Sequence, residues 1–283
     1  MIYMFAALYA EAKPFIQHFQ LKKDKNNRKF QGFCNPEKEI YLVITGVGSV
    51  AAAVAIGSVC TEYEIQEEDF LINVGTCAAR DHRGEVYLCN KITEQSSGRT
   101  FYPDLLYKHN LAESNIVTVG KPVTAGLQEQ SVDDTLTLYD MEAAAVYQAG
   151  AYFFGPHQMS FLKVVSDHGD EQPVTREQME MLMEESALPM ILYVEQLYKI
   201  ALEERSQKRV LSKSMEQLIS KVCEDLHCSK TMEAYLWQHF RYLMLTGVDV
   251  QAQIREWYEE EKLPCRDRRE GKKCFEELKA GLF

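Results

Sequence analysis

Along the first two hundred positions, short apolar runs alternate with longer stretches of helical spacing. Residues 2–9 form a continuous apolar run with aromatic and branched members, the pattern of a strand buried on both faces. Residues 12–19 then read as a short helix, with Pro14 tolerated in its first turn. Residues 22–29 are a basic turn, and residues 29–34 and 39–45 read as two strands joined across Asn35-Pro36. At Thr45-Gly46-Val47-Gly48-Ser49 a strand ends in a tight turn, and an alanine-rich helix runs on to about Tyr63. Residues 70–74, 85–89, 116–119 and 161–165 are further short strands, with polar connections at 94–104 and 120–136. In Leu138-Tyr139-Asp140-Met141-Glu142 an apolar run meets a carboxylate, and the alanines after it predict a helix through Tyr147 and Ala149. Residues 175–202 repeat Met, Leu, Ile and Tyr at helical spacing and close the series.

Strands alternating with helices predict an α/β fold: a three-layer domain with a central mixed sheet flanked by helices. Residues 214–226, 231–245, 250–260 and 271–282 read instead as consecutive helices, a small all-α extension. Trp237, Phe240, Tyr242, Leu243 and Trp257 are the expected core of that extension. Charge places the boundary. The chain carries 31 Lys+Arg against 42 Asp+Glu, a net charge of −11. From Arg205 onward the two signs nearly balance with a slight basic surplus, so the excess of acid lies wholly in residues 1–204. We therefore divide the chain at 1–204 and 205–283. Its length of 283 residues suffices for a sizeable core beside a smaller one.

An acidic chain is not expected to bind nucleic acid or an anionic membrane. No apolar run is long enough to span a bilayer, and the opening run, with no basic residues before it and Glu11 directly after, reads as a buried strand rather than a signal peptide. Eight cysteines lack a framework of short spacings, which suggests reduced thiols and a cytoplasmic protein. Cys223, His227, Cys228, Cys265 and Cys274 have spacings foreign to common zinc sites, so no metal and no cofactor is expected. Arg266, Arg268, Arg269, Lys272 and Lys273 form a basic cluster that reads as a solvated face.

Open α/β sheets bind ligands beyond the carboxyl ends of their strands. Five features fall at such ends: Glu11, the Gly46-Val47-Gly48 turn, Thr76, Glu142 and Asp167. Taken singly, Glu11, Asp140 and Glu142 are ordinary acidic residues of a first helical turn, and Asp167 makes a turn with Gly169. The glycine turn lacks the third glycine of a dinucleotide fingerprint. Their joint placement is what marks a site.

These segments (residues 7–15, 45–53, 72–79, 139–146 and 161–167) resemble the purine nucleoside phosphorylase superfamily, and within it the methylthioadenosine/S-adenosylhomocysteine nucleosidase branch. The resemblance implies an enzyme that breaks the N-glycosidic bond of a purine nucleoside. It implies Asp167 as the acid that protonates the leaving base, Glu142 as the carboxylate holding the ribose hydroxyls, and Glu11 as the base that activates water. Met141 would pack on the sugar, and Thr76, Gly46, Gly48, Lys163 and Ser166 would complete the binding site. A homodimer or higher homo-oligomer is expected, with a small-molecule purine nucleoside as the partner.

The sequence departs from that pattern in places. The phosphorylase branch carries arginines after its first strand and before its Gly-Ser loop; here those positions read Ala10-Glu11-Ala12-Lys13 and Ile72-Asn73-Val74-Gly75, so water is the expected nucleophile. Lys163 stands where the nucleosidases have an arginine. Thr76 replaces a serine, and Ala78 and Ala79 replace glycines. Pro122-Val123-Thr124-Ala125-Gly126-Leu127 lacks an aromatic residue to stack on adenine, and its Pro-Val-Thr pattern looks closer to the futalosine hydrolase and hopanoid-associated phosphorylase relatives. Phe101 and Tyr102 are expected at an interface or in the core. Two other readings stay open: a phosphorylase using Lys13 and Lys163, and a nucleoside-binding regulatory module without catalysis.

Overall fold

One mixed sheet of ten strands organises the N-terminal part of the computed structural model, which describes all residues except 26, 28, 125–135, 170–173, 210–212 and 282–283. At its centre β1 (Ile2–Ala6) pairs in parallel with β4 (Ile40–Ile44) on one side and β5 (Phe70–Ala78) on the other. Beyond β4 lie β3 (Gln31–Asn35) and β2 (Lys22–Lys23), each antiparallel to its neighbour. On the far side of β5 runs β10 (Met159–Asp167), parallel to it. Next come β6 (Val86–Glu94), antiparallel to β10, and then β8 (Ala112–Thr118) and β9 (Thr137–Asp140), both parallel to β6. A short β7 (Thr100–Phe101) pairs with β6. β9 returns to β5 through a single pair, Ala78 opposite Tyr139, so that β5, β10, β6, β8 and β9 close into a ring.

Both faces of this sheet are covered. Ile2, Met4 and Ala6 of β1 enter one core with α1 (Tyr9–His18) and the long helix α4 (Arg176–Arg209). The alternate residues Tyr3 and Phe5 enter a second core with α2 (Ser49–Glu62) and α3 (Ala143–Gly150). That two-sided burial is why the first strand reads as an unbroken apolar run. Ala52 and Ala55 of α2 and Ala143 and Ala144 of α3 are buried, and their small side chains let both helices sit close to the strands and to each other. Contacts divide the chain into two compact units, Met1–Arg205 and Ser206–Phe283. The second contains α5 (Lys213–Asp225), α6 (Lys230–Leu245), α7 (Val250–Glu259) and α8 (Arg268–Gly281) around a core of its own.

The expected α/β architecture with a helical C-terminal region is present, and several local expectations are corrected. The first strand stops at Ala6, because Tyr9 already opens α1; Pro14 therefore lies inside that helix and not in its first turn. β5 and β10 run on through Ala78 and Asp167, so Thr76, Ser166 and Asp167 are strand residues at the rim. Residues 137–140 are a strand, β9, and α3 starts one residue after Glu142. Phe101 stacks on Tyr147 at 5.0 Å, while Tyr102 is exposed. In the second unit Phe240 and Trp257 are buried and Trp237 and Leu243 partly so, but Tyr242 faces solvent. Among the described residues no helix is long and apolar enough to cross a membrane.

Both tryptophans of the chain, Trp237 and Trp257, belong to the second unit, so intrinsic tryptophan emission follows that core alone. Phe240→Ala is expected to cost it about 3–5 kcal/mol, seen as an earlier urea midpoint by fluorescence. An unchanged midpoint would show that Phe240 does not hold this core.

Candidate active site

Glu11 reaches the rim from the first turn of α1. Its Oε2 accepts a hydrogen bond from the Leu8 amide (2.9 Å), so it does cap its own helix. Its Oε1 accepts two more across the sheet, from the Thr76 amide (2.8 Å) and the Thr76 hydroxyl (2.9 Å). The approach is close at Gly75, where a Cβ would stand 3.1 Å from Glu11 Oε1 and press on the carboxylate. The cap and the cleft wall are thus one carboxylate.

Asp140 and Glu142 divide between them the two roles open to an acid at a helix start. Asp140 points under the cleft floor, where Oδ2 accepts from the Ala143 amide at 2.8 Å and Oδ1 from the Thr118 hydroxyl at 2.7 Å. The same hydroxyl accepts from the Ala144 amide at 2.9 Å, so Asp140 and Thr118 together satisfy the free amides at the start of α3. Glu142, relieved of capping, turns into the cleft, where its Oε1 accepts from the Gly48 amide at 2.6 Å. Gly46 and Gly48 adopt φ of +83° and +99°, conformations that a side chain disfavours. Their turn, together with a Ser49 hydroxyl bond to the Met141 carbonyl (3.1 Å), holds the Met141-Glu142 segment in place.

Lys163 lies in the middle of β10, fully buried, with Nζ 2.8 Å from Asp140 Oδ2. Burial alone would lower its pKa, but the carboxylates of Asp140 and Glu142 overcome this and hold the ammonium above its ordinary value. Burial likewise pushes the Glu142 carboxyl up, opposed by the Lys163 charge. At the end of β10, Asp167 Oδ2 accepts from the Ser166 hydroxyl (2.6 Å) and Oδ1 from the Gly169 amide (2.9 Å). The turn role expected of Asp167 is real, and its carboxylate still lines the cleft.

Glu11, Thr76, Met141, Glu142, Ser166 and Asp167 surround one cleft. Three other predicted residues do not line it: Gly46 and Gly48 shape the turn behind Glu142, and Lys163 sits beneath the floor as counter-ion to Asp140. The Lys163 charge is paired with Asp140 and felt by Glu142 and Glu11, two carboxylates of the cleft beside it. Sequence reasoning overlooked Tyr139 as a wall residue and Asp140 as the buried anchor. The alternation is one of burial and not of polarity: Tyr139 and Met141 are partly exposed at the cleft, while Asp140 between them borders it with its side chain wholly buried. Pro122 and Val123 border the cleft, whereas residues 125–127 of the expected base-binding loop lie outside the described residues. Among the described residues no group of His, Cys, Asp or Glu is placed to hold a metal ion.

Removing Lys163 leaves Asp140 a buried, unpaired charge. Lys163→Met is expected to lose about 3–5 kcal/mol of stability, and Lys163→Met with Asp140→Asn to recover much of it in a double-mutant cycle. A single variant as stable as the wild type would show that the pair does not anchor the floor.

No protein-family model and no curated relative matches the sequence. Solved structures do match the backbone. The 5′-methylthioadenosine/S-adenosylhomocysteine nucleosidase of S. pneumoniae, solved with a transition-state inhibitor, is 18% identical over 71% of this chain and 99% of its own, with a TM-score of 0.54. The Arabidopsis thaliana 5′-methylthioadenosine nucleosidase is 19% identical over 69% of this chain and 95% of its own, with a TM-score of 0.56. The futalosine hydrolase of Helicobacter pylori is 15% identical over 72% and 97%, with a TM-score of 0.52. At these identities the likeness is one of architecture: this chain carries the fold of the methylthioadenosine/S-adenosylhomocysteine nucleosidases and of futalosine hydrolase, joined to a helical C-terminal unit.

Proposed function

We propose that the chain hydrolyses the N-glycosidic bond of a purine nucleoside. The observation that carries this reading is the convergence of Glu11, Glu142 and Asp167, three carboxylates far apart in the chain, on one cleft at the rim of the sheet. Cleaving the bond takes electrons into the base and leaves a cationic sugar. Asp167 delivers a proton to the departing base. Glu142 holds the ribose hydroxyls and sets its negative charge against the developing oxocarbenium ion. Glu11, fixed by Thr76, draws a proton from the attacking water. Among the described residues Lys163 is the one cation paired into this acidic cluster, so the region keeps an excess of negative charge where the transition state is positive.

Water is favoured over phosphate by where the cations go. A phosphate nucleophile needs cations free to hold it. Lys13 is paired with Glu180 at 2.8 Å and Lys163 with Asp140 at 2.8 Å, so both candidates for that task are committed elsewhere.

A screen of purine nucleosides for base release tests the reading. The expected outcome is release without added phosphate, reduced roughly 100-fold or more in Asp167→Asn and Glu11→Gln, the scale of a lost general acid or base. Strict dependence on phosphate would replace the hydrolase by a phosphorylase. Binding without release, unaltered by Asp167→Asn, would replace it by a non-catalytic binding module.

The displaced pKa of Glu142 predicts a pH profile. Its ionised form is the active one, so kcat/KM should fall on the acid side above the ordinary glutamate value of about 4.3, as the raised pKa is crossed. For stability the sign is reversed. A carboxyl whose folded pKa is raised binds its proton more tightly in the folded chain, so its stabilising contribution is present at low pH and lost as pH rises through that pKa. Glu142→Gln is therefore expected to melt no lower than wild type at neutral pH while losing activity. A clearly lower melting temperature would show that the ionised carboxylate stabilises the fold.

A further inference from the structure

The second unit contains a cleft that the proposed reaction does not use. It lies between the start of α6 and one face of α8 and encloses about 550 Å³, within the range of small-molecule sites. From α8 come Arg268, Lys272 and Lys279, at positions i, i+4 and i+11 on the same helix face. Opposite them stand the hydroxyls of Ser229 and Thr231. Glu276 is the one carboxylate on its walls.

Two observations set this cleft apart from the solvated basic face that the sequence suggests. The first is how charge is sorted around α8. Lys273 pairs with Glu277 at 3.8 Å away from the cleft, whereas among the described residues Arg268, Lys272 and Lys279 have no acidic partner. Lys279 rests instead over the Tyr235 ring, 5.3 Å from its centroid. The second is rigidity. Gly271 packs so closely on the Leu226 carbonyl that a Cβ there would overlap it. The Cys265 amide donates to the Asp225 carbonyl at 2.9 Å, and the His227 ring lies 3.1 Å from the Cys265 carbonyl. The segment leading into α6 is thereby pinned to the segment leading into α8. The backbone that carries both walls is held before any ligand arrives, which lowers the cost of binding one.

We propose that this cleft binds a small molecule bearing two or more linked phosphate groups. Arg268 and Lys272 are about 6 Å apart along the helix and Lys279 about 10 Å further, too far for one phosphate to meet all three cations. A phosphate chain spans them, with the Ser229 and Thr231 hydroxyls free to donate to its oxygens. This site is independent of the glycosidic chemistry assigned to the first unit.

Isothermal titration of the full-length chain with inorganic phosphate, pyrophosphate, tripolyphosphate and ATP tests the proposal. Tripolyphosphate is expected to bind at least about tenfold tighter than inorganic phosphate, and to weaken as salt rises. Arg268→Gln and Lys272→Gln should each lose about tenfold, while Lys273→Gln, outside the cleft, changes little. ATP binding tighter than tripolyphosphate supports the site and identifies a nucleotide as its ligand; ATP matching tripolyphosphate supports it and identifies the phosphate chain. All three side chains are exposed, and circular dichroism confirms that each variant is folded. No binding by the wild type at millimolar ligand overturns the proposal. So does a Lys273→Gln loss equal to that of Lys272→Gln, which would mean diffuse attraction to a basic surface.

Discussion

A single buried ammonium organises the cleft. Lys163 enters from the middle of a strand, between the buried apolar residues Phe161, Leu162, Val164 and Val165, and it binds Asp140 beneath the floor. Asp140 in turn ties down the first amides of α3 and the Thr118 hydroxyl, and this leaves Glu142 free to face outward. A charge in the interior is tolerated when it is paired; Lys163 is paired with Asp140, and Asp140 also accepts from the Ala143 amide and the Thr118 hydroxyl. The consequence is a division of labour between two acids only two residues apart. One is spent on structure and the other is kept for chemistry.

That division was the part of the site least legible in the sequence. Asp140 and Glu142 are both acids near the start of an alanine-rich helix, and local rules treat them alike. What separates them is strand geometry, and β9 was concealed because its four residues, with Asp140 buried, do not alternate in polarity as a half-exposed strand does. The pairing of Lys163 was illegible for a different reason. The resemblance placed it near the reacting centre, but only its distance to Asp140 shows that its charge is already engaged. Other elements were legible because burial writes directly onto sequence. The first strand is apolar on both faces since a core lies on each side, and helices α5 to α8 show their apolar faces at helical spacing. Glu11 and Asp167 belong to a third kind. The local roles expected of them are present, and the same two residues line the cleft.

The two units present different solutions to charge. In the first, acids cluster at the rim of a sheet, and burial raises the affinity of one of them for its proton. In the second, cations gather on one face of α8 while the Lys273–Glu277 pair sits apart from them. A chain with a net charge of −11 therefore contains a cationic recess, which a count over the whole molecule conceals. Net charge governs long-range attraction, whereas recognition depends on the few groups that share a wall.

The ring of strands around the cleft is sealed unevenly. β5 and β10 share a long ladder, and so do β6 and β8, but β5 and β9 touch through one residue pair at their tips. The walls of the cleft come from both sides of that narrow join. Widening or narrowing the recess there disturbs a single rung, while the rest of the hydrogen-bonded scaffold is left as it was. A framework built this way can be refitted to a bulkier or slimmer occupant by changes at its seam, without renegotiating its core.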